Sequence, residues 1–174
     1  MTAPEAHRAI HAIFRLESAK LIASLARVVR DVSGRGVAMA GHADVPSEVV
    51  AAVRERCLAL PEVREEQAWA GTRWCIRTKN FAHVVLIDDG WPPAYARAAG
   101  TDGPLVVLTF RAAGADLAAL GAAGPPFFKP VWFPDIVGLA LDDDTDWDEV
   151  GELVTDSWRL LAPRTLVERF DAPS

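Results

Sequence analysis

The chain has 174 residues, 51% of them hydrophobic and 24% charged, and 18 Lys and Arg against 24 Asp and Glu leave a formal net charge of −6. Those values exclude a wholly disordered chain, and the acidic balance argues against a generic nucleic-acid coat, which is normally basic. No apolar run approaches the roughly 20 residues of a membrane helix, and no secretory pattern is visible at Met1–Arg15.

In chain order, Thr2-Ala3-Pro4-Glu5 has the form of a capping box. An apolar stripe follows through Ile10, Phe14, Leu21, Leu25, Val28 and Val32, with helical spacing, and Gly34 supplies a stop. Residues 34–43 read as a linker. Asp44-Val45-Pro46 opens a second helix with Val49, Val53, Cys57 and Leu60 on one face, and Pro61 closes it. Arg73–Arg77 and Phe81–Asp88 read as a hairpin turned at Thr78-Lys79-Asn80. Asp89–Pro104 reads as a long loop, Leu105–Arg111 as a strand, Ala115–Leu120 as a short helix and Pro125–Pro134 as an aromatic, proline-rich loop. Ile136–Leu141 is a further strand, and Asp146 starts a last helix with Val150, Val154, Trp158 and Leu161 inward. Strands in the middle with helices at both ends predict an α+β domain with a mostly antiparallel sheet.

Charge is unevenly placed. Residues 1–40 hold six bases and three acids, a net of +3, which leaves −9 for residues 41–174. Nine acids fall between Asp135 and Asp156, a stretch with no Lys or Arg, so residues 41–134 are close to balanced. A locally basic surface therefore remains open to the middle of the chain.

From about Val45 to Pro163 the chain resembles the MmcQ/YjbR family. The resemblance is carried by Leu60-Pro61-Glu62-Val63 with Glu65 or Glu66 after it, Phe81-Ala82 in the hairpin, the strand Val106–Arg111 leading into a short helix, and Ser157-Trp158 on the last helix. It implies a compact, frataxin-like sheet-and-helix domain and a DNA-binding role through a double-wing arrangement. Arg111 falls where members carry a strand-end Lys, and Lys129 falls in a Lys-x-x-Trp loop. The segment 9–32, with Phe14-Arg15-Leu16-Glu17-Ser18-Ala19-Lys20-Leu21, resembles instead the first helix of extracytoplasmic-function RNA polymerase sigma factors, truncated after Asp31-Val32. Residues 1–38 are accordingly set apart as an amphipathic helix and linker, a fusion remnant or the product of an upstream start. Residues 39–174 form the MmcQ/YjbR-like domain.

The first candidate site is a DNA-binding set, Arg73, Arg77, Lys79, Arg111 and Lys129. Arg73, Cys75, Arg77 and Lys79 share one face if the strand is regular, with His83 joining from its partner, and such alternation places cations about 6–7 Å apart along a phosphate backbone. The alternative is a small-molecule or protein-interaction module lined by Trp91, Tyr95, Phe128 and Trp132 in two aromatic loops. Asp142, Asp144 and Asp146 imitate the start of a calcium loop, but Trp147 stands where the turn glycine belongs and Leu153 where the bidentate Glu belongs. His7 and His11 lack a third ligand. Nucleophile, phosphate-loop and zinc-protease signatures are missing. No catalysis, cofactor or metal is expected. The two cysteines, Cys57 and Cys75, form no CxxC and suggest buried thiols in a reducing cytoplasm. The apolar stripe of residues 9–32 is too long to be left in water, so it is expected to dock, to self-associate or to meet a partner protein.

Overall fold

A computed structural model describes residues 43–172. The capping box at Thr2, the stripe over residues 9–32, the His7–His11 pair and most of the linker lie outside the described residues.

Helix α1 (Ser47–Leu58) starts after Pro46, carries Glu48 in its first turn and Arg56 in its last, and buries Val53 and Cys57 completely. Strands β1 (Val63–Gln67), β2 (Thr72–Ile76) and β3 (Lys79–Ile87) follow as a meander. Helix α2 (Pro93–Ala99), strand β4 (Leu105–Arg111), helix α3 (Gly114–Ala122), strand β5 (Phe127–Phe128) and strand β6 (Ile136–Leu141) come next. The described chain closes with α4 (Trp147–Leu161) and α5 (Arg164–Phe170). One sheet has the order β1-β2-β3-β4-β6-β5, and each pairing is antiparallel. The α+β expectation holds.

Period-two alternation gives the sheet two apolar faces. Trp74, Ile76, Ala82, Val84, Leu108, Phe110, Val137 and Leu139 point to the side covered by α1, α3, α4 and α5. Val85, Ile87 and Val107 point the other way, under Tyr95 and Ala96 of α2 and the rings of Trp91, Phe128 and Trp132. Helix α4 fits the first side because Val150, Leu153, Val154, Ser157 and Trp158 follow the i, i+3, i+4, i+7, i+8 rule. Its start is fixed by Asp146, whose carboxylate accepts from the amides of Asp148 at 3.0 Å and Glu149 at 3.2 Å.

Two segments correct the sequence reading. Within Asp89–Pro104 the residues that suggest a loop bound a helix: Pro93 occupies its first turn and Gly100, at φ 68°, terminates it in the left-handed region. The hairpin turn sits earlier than predicted. Ile76 pairs with Lys79, so Arg77-Thr78 make the turn, with Arg77 at φ 55°. No helix among the described residues is long and apolar enough to cross a membrane.

Candidate functional site

The shifted turn alters the predicted stripe. Arg73 and Cys75 do share a face with His83, which lies directly opposite Arg73. Arg77 has left the strand, however, and the β2–β3 register slips between Trp74 and Cys75, so Arg77 and Lys79 sit at the hairpin tip rather than in line with Arg73. Both are exposed and have no ion-pair partner among the described residues.

Around this tip the chain gathers further cations. Arg64 of β1 donates a short hydrogen bond to the Arg77 carbonyl and lies 3.5 Å from the Glu66 carboxylate. Arg73 pairs with the same carboxylate at 2.8 Å. Arg111, at the end of β4, pairs with Asp135 at 2.6 Å, reaches the Asn80 carbonyl at 3.4 Å and stacks 5.0 Å from the Phe133 ring centre. Lys129 donates to the carbonyls of Pro130 at 3.2 Å and Phe133 at 3.1 Å, tying the aromatic loop down beside Arg111. The cations fall in two groups: Arg64 and Arg73 share Glu66 beside Arg77 and Lys79 of the hairpin, whereas Arg111, paired with Asp135, and Lys129 meet around Phe133. The cations differ in availability: the Arg111 side chain is only 17% exposed, and Lys129 is occupied with backbone carbonyls. Arg64 was not predicted, because Val-Arg-Glu-Glu-Gln lacks the apolar alternation that marks a strand.

The aromatic candidates also meet, on the α2 side of the sheet. Tyr95 and Trp132 lie 4.9 Å apart, and Trp91 receives the exposed Trp69 edge-on at 5.6 Å. Phe128 is seated on Gly138 so closely that a β-carbon there would overlap its ring. The rings form a packed layer on Val85, Ile87 and Val107 rather than two walls of an open pocket. Trp69, in the β1–β2 turn, had no sequence signal beyond its type.

His83 lies beneath that layer, 5% exposed. Its Nε2 is 2.6 Å from the Ala70 carbonyl, which can only accept, so Nε2 carries the hydrogen. Nδ1, 2.9 Å from the Tyr95 hydroxyl, then accepts from it. Burial holds the imidazole pKa below its ordinary value, in keeping with a neutral ring, and burial also pushes the Tyr95 phenol up. Both groups are consumed by each other and by the backbone, an arrangement suited to fixing α2 on the sheet.

Cys57 and Cys75 are free and buried, and burial raises both thiol pKa values. The Asp142–Asp146 segment is held by turn bonds, with Asp142 Oδ1 accepting from the Asp144 amide at 3.0 Å, and Asp146 serves as the cap. Among the described residues no group of three His, Cys, Asp or Glu side chains is placed to hold a metal ion.

The motifs that suggested a family contact one another. Trp158, fully buried, donates its indole N–H to the Pro61 carbonyl at 3.2 Å. Ser157 donates to the Phe81 carbonyl at 2.5 Å and accepts from the Arg111 amide at 2.7 Å. Comparison with known proteins agrees with this construction. A crystal structure of protein DR2400 from Deinococcus radiodurans, assigned to family-model domain DUF419, is similar in fold, with a TM-score of 0.51, 16% identity, and coverage of 71% of this chain and 88% of that chain. No curated protein matches the chain. No comparison supports the sigma-factor likeness of residues 9–32. The family model named YjbR matches residues 58–160, from the end of α1 to the end of α4 and therefore across the whole sheet, and the chain belongs to the YjbR family.

Proposed function

We propose that the protein binds the phosphate backbone of DNA, weakly and without chemistry of its own, through the basic side of its sheet. The observation that carries this reading is the exposure of Arg77 and Lys79 at the hairpin tip with no ion-pair partner among the described residues, next to Arg64 and Arg73. The hairpin tip leads the contact: Arg77 and Lys79 are exposed there, Arg73 and Arg64 flank them, and Arg111 and Lys129 supply a fixed positive background. Phosphate contacts of this type give affinity without base specificity. The two unpaired, buried thiols support a reducing, cytoplasmic setting.

The test is anisotropy of a labelled duplex across a salt series. A dissociation constant no weaker than about 100 μM near 50 mM salt is expected, with log affinity falling linearly against log salt. Arg77→Ala with Lys79→Ala should flatten that slope by about 2, one phosphate contact for each cation removed. Absence of binding at low salt, or a slope the double variant leaves unchanged, refutes the proposal.

The exposure of Trp69, 70% over the Trp91 edge, favours a second reading. In it, Trp69 and the layer of Trp91, Tyr95, Phe128 and Trp132 beneath it offer a contact face to a protein partner. Binding of this kind would be insensitive to salt and lost in Trp69→Ala.

A further inference from the structure

Helix α3 is more apolar than its burial explains. Eight of its nine residues are Gly, Ala or Leu, with Asp116 the exception, yet none of the nine is buried. A helix that is apolar all round is normally covered all round. On the side of the sheet away from α2, α3 borders a cleft of about 1280 Å³ that it shares with α1, α4 and α5. Phe110, Leu120, Phe127 and Leu160 are the large apolar groups lining it, and Leu160 is 49% exposed. Six acids line it too: Glu55, Asp116, Asp148, Glu152, Asp156 and Asp171. Its three bases are already engaged. Arg56 donates to the Trp147 carbonyl at 2.6 Å, Arg111 pairs with Asp135, and Arg159 pairs with Asp156 at 2.9 Å and Asp171 at 2.8 Å. Glu55, Asp116 and Asp148 are exposed, with no ion-pair partner among the described residues.

Size and shape narrow the occupant. The cleft exceeds the roughly 300–1,000 Å³ of small-molecule pockets. Its α4 lining runs from Trp147 to Leu160, about 20 Å at roughly 1.5 Å per residue, which matches a helix of about 14 residues. An extended segment would find little backbone to pair with, because β5, the strand margin that reaches the cleft, is two residues long. We propose that the cleft binds a helix of another protein, about 14 residues long, apolar on the face laid against Phe110, Leu120, Phe127 and Leu160 and basic on its flanks. Charge complementarity selects the basic flanks, since six acids line the cleft against three bases that are already engaged. A second copy of this chain is a poor occupant. Two-fold pairing through the cleft would set its acids against the same acids, and the basic hairpin tip, Arg77-Thr78-Lys79-Asn80, has no apolar residue to lay on the floor. The inference is independent of DNA binding, because the cleft and the hairpin tip involve different residues.

Anisotropy of a labelled, end-capped peptide titrated with the full chain tests it. The peptide has about 14 residues, with Leu at i, i+3, i+4, i+7 and i+8 and Lys elsewhere. It should bind at least about tenfold more tightly than a scrambled peptide of the same composition, and than its counterpart with Glu in place of Lys. Affinity should fall as salt rises. Leu160→Asp should weaken binding at least about tenfold, and so should Glu55→Lys with Asp116→Lys, a variant confined to exposed positions. Hydrogen exchange of β3 and β4 amides reports whether each variant is folded. Arg77→Ala with Lys79→Ala should leave peptide affinity within about twofold, so this inference and the DNA reading fail separately. Absence of binding at low salt overturns the proposal, as does equal binding of the scrambled or the acidic peptide. Affinity unaltered in either folded cleft variant places the peptide elsewhere and overturns it too. A dimer in sedimentation that the cleft variants disperse assigns the cleft to a second copy and overturns it equally.

Discussion

Ser157 does the work of a missing rung in the β3–β4 ladder. The paired register ends at Ala82 and Phe110, and the next backbone groups, the Phe81 carbonyl and the Arg111 amide, are joined through the serine hydroxyl instead. Ser157→Ala would strand the buried Phe81 carbonyl and the half-buried Arg111 amide. A loss of about 2–4 kcal/mol is expected in urea unfolding, whereas truncation of an exposed serine has little effect. His83 makes a comparable prediction in pH. Its folded pKa is lowered by burial, so the unfolded chain takes up the proton more readily. Above about pH 6.5 the ring is neutral in both states and the full stability is present. As pH falls below that value stability should decline, by no more than about 1.4 kcal/mol per pH unit, until the folded form is protonated too. Urea midpoints at pH 7.5 and 5.5 check this, and His83→Gln should remove that component of the decline. Tyr95→Phe should lower stability by about 1 kcal/mol while the ring stays on Trp132.

Elements differ in how openly the sequence displays them. Leu105–Arg111 and Ile136–Leu141 are read to the residue because central strands are sandwiched and apolar on both sides. Helix α4 is equally plain, since cap and stripe agree. Strand β1 is hidden because an edge strand needs few apolar residues, and its charged side chains pair off: Glu65 takes Arg54 at 2.7 Å and the Trp74 indole at 3.0 Å. Helix α2 is hidden by punctuation, its prolines and glycine marking its ends rather than an absence of structure. The hairpin offset comes from Arg77, which adopts a backbone conformation that non-glycine residues seldom take, and nothing in its identity announces that. The predicted stripe is therefore broken at Arg77, and the sequence offers no sign of that geometry. Strand β5 makes its own test. Because Phe128 lies flat on Gly138, Gly138→Ala should expel the ring and cost about 1–3 kcal/mol, loosening β5 while β4 stays protected from exchange.

For the molecule as a whole, the net charge of −6 is a sum over unlike regions rather than a description of any surface. The acids of residues 135–156 lie mostly in the turn before α4 and along it, so the cleft side is negative while the hairpin side keeps its bases. A dipolar body of this kind approaches a polyanion in one orientation, and salt weakens that steering before it weakens any contact.

The sheet also governs how copies of the protein can meet. One margin is β1, whose Arg64, Glu65 and Glu66 present charge on both faces, and the other is β5, two residues long with α3 against it. A neighbouring strand would gain few backbone bonds at either margin and would have to desolvate ions to form them. Strand addition is therefore disfavoured at both margins of the described sheet.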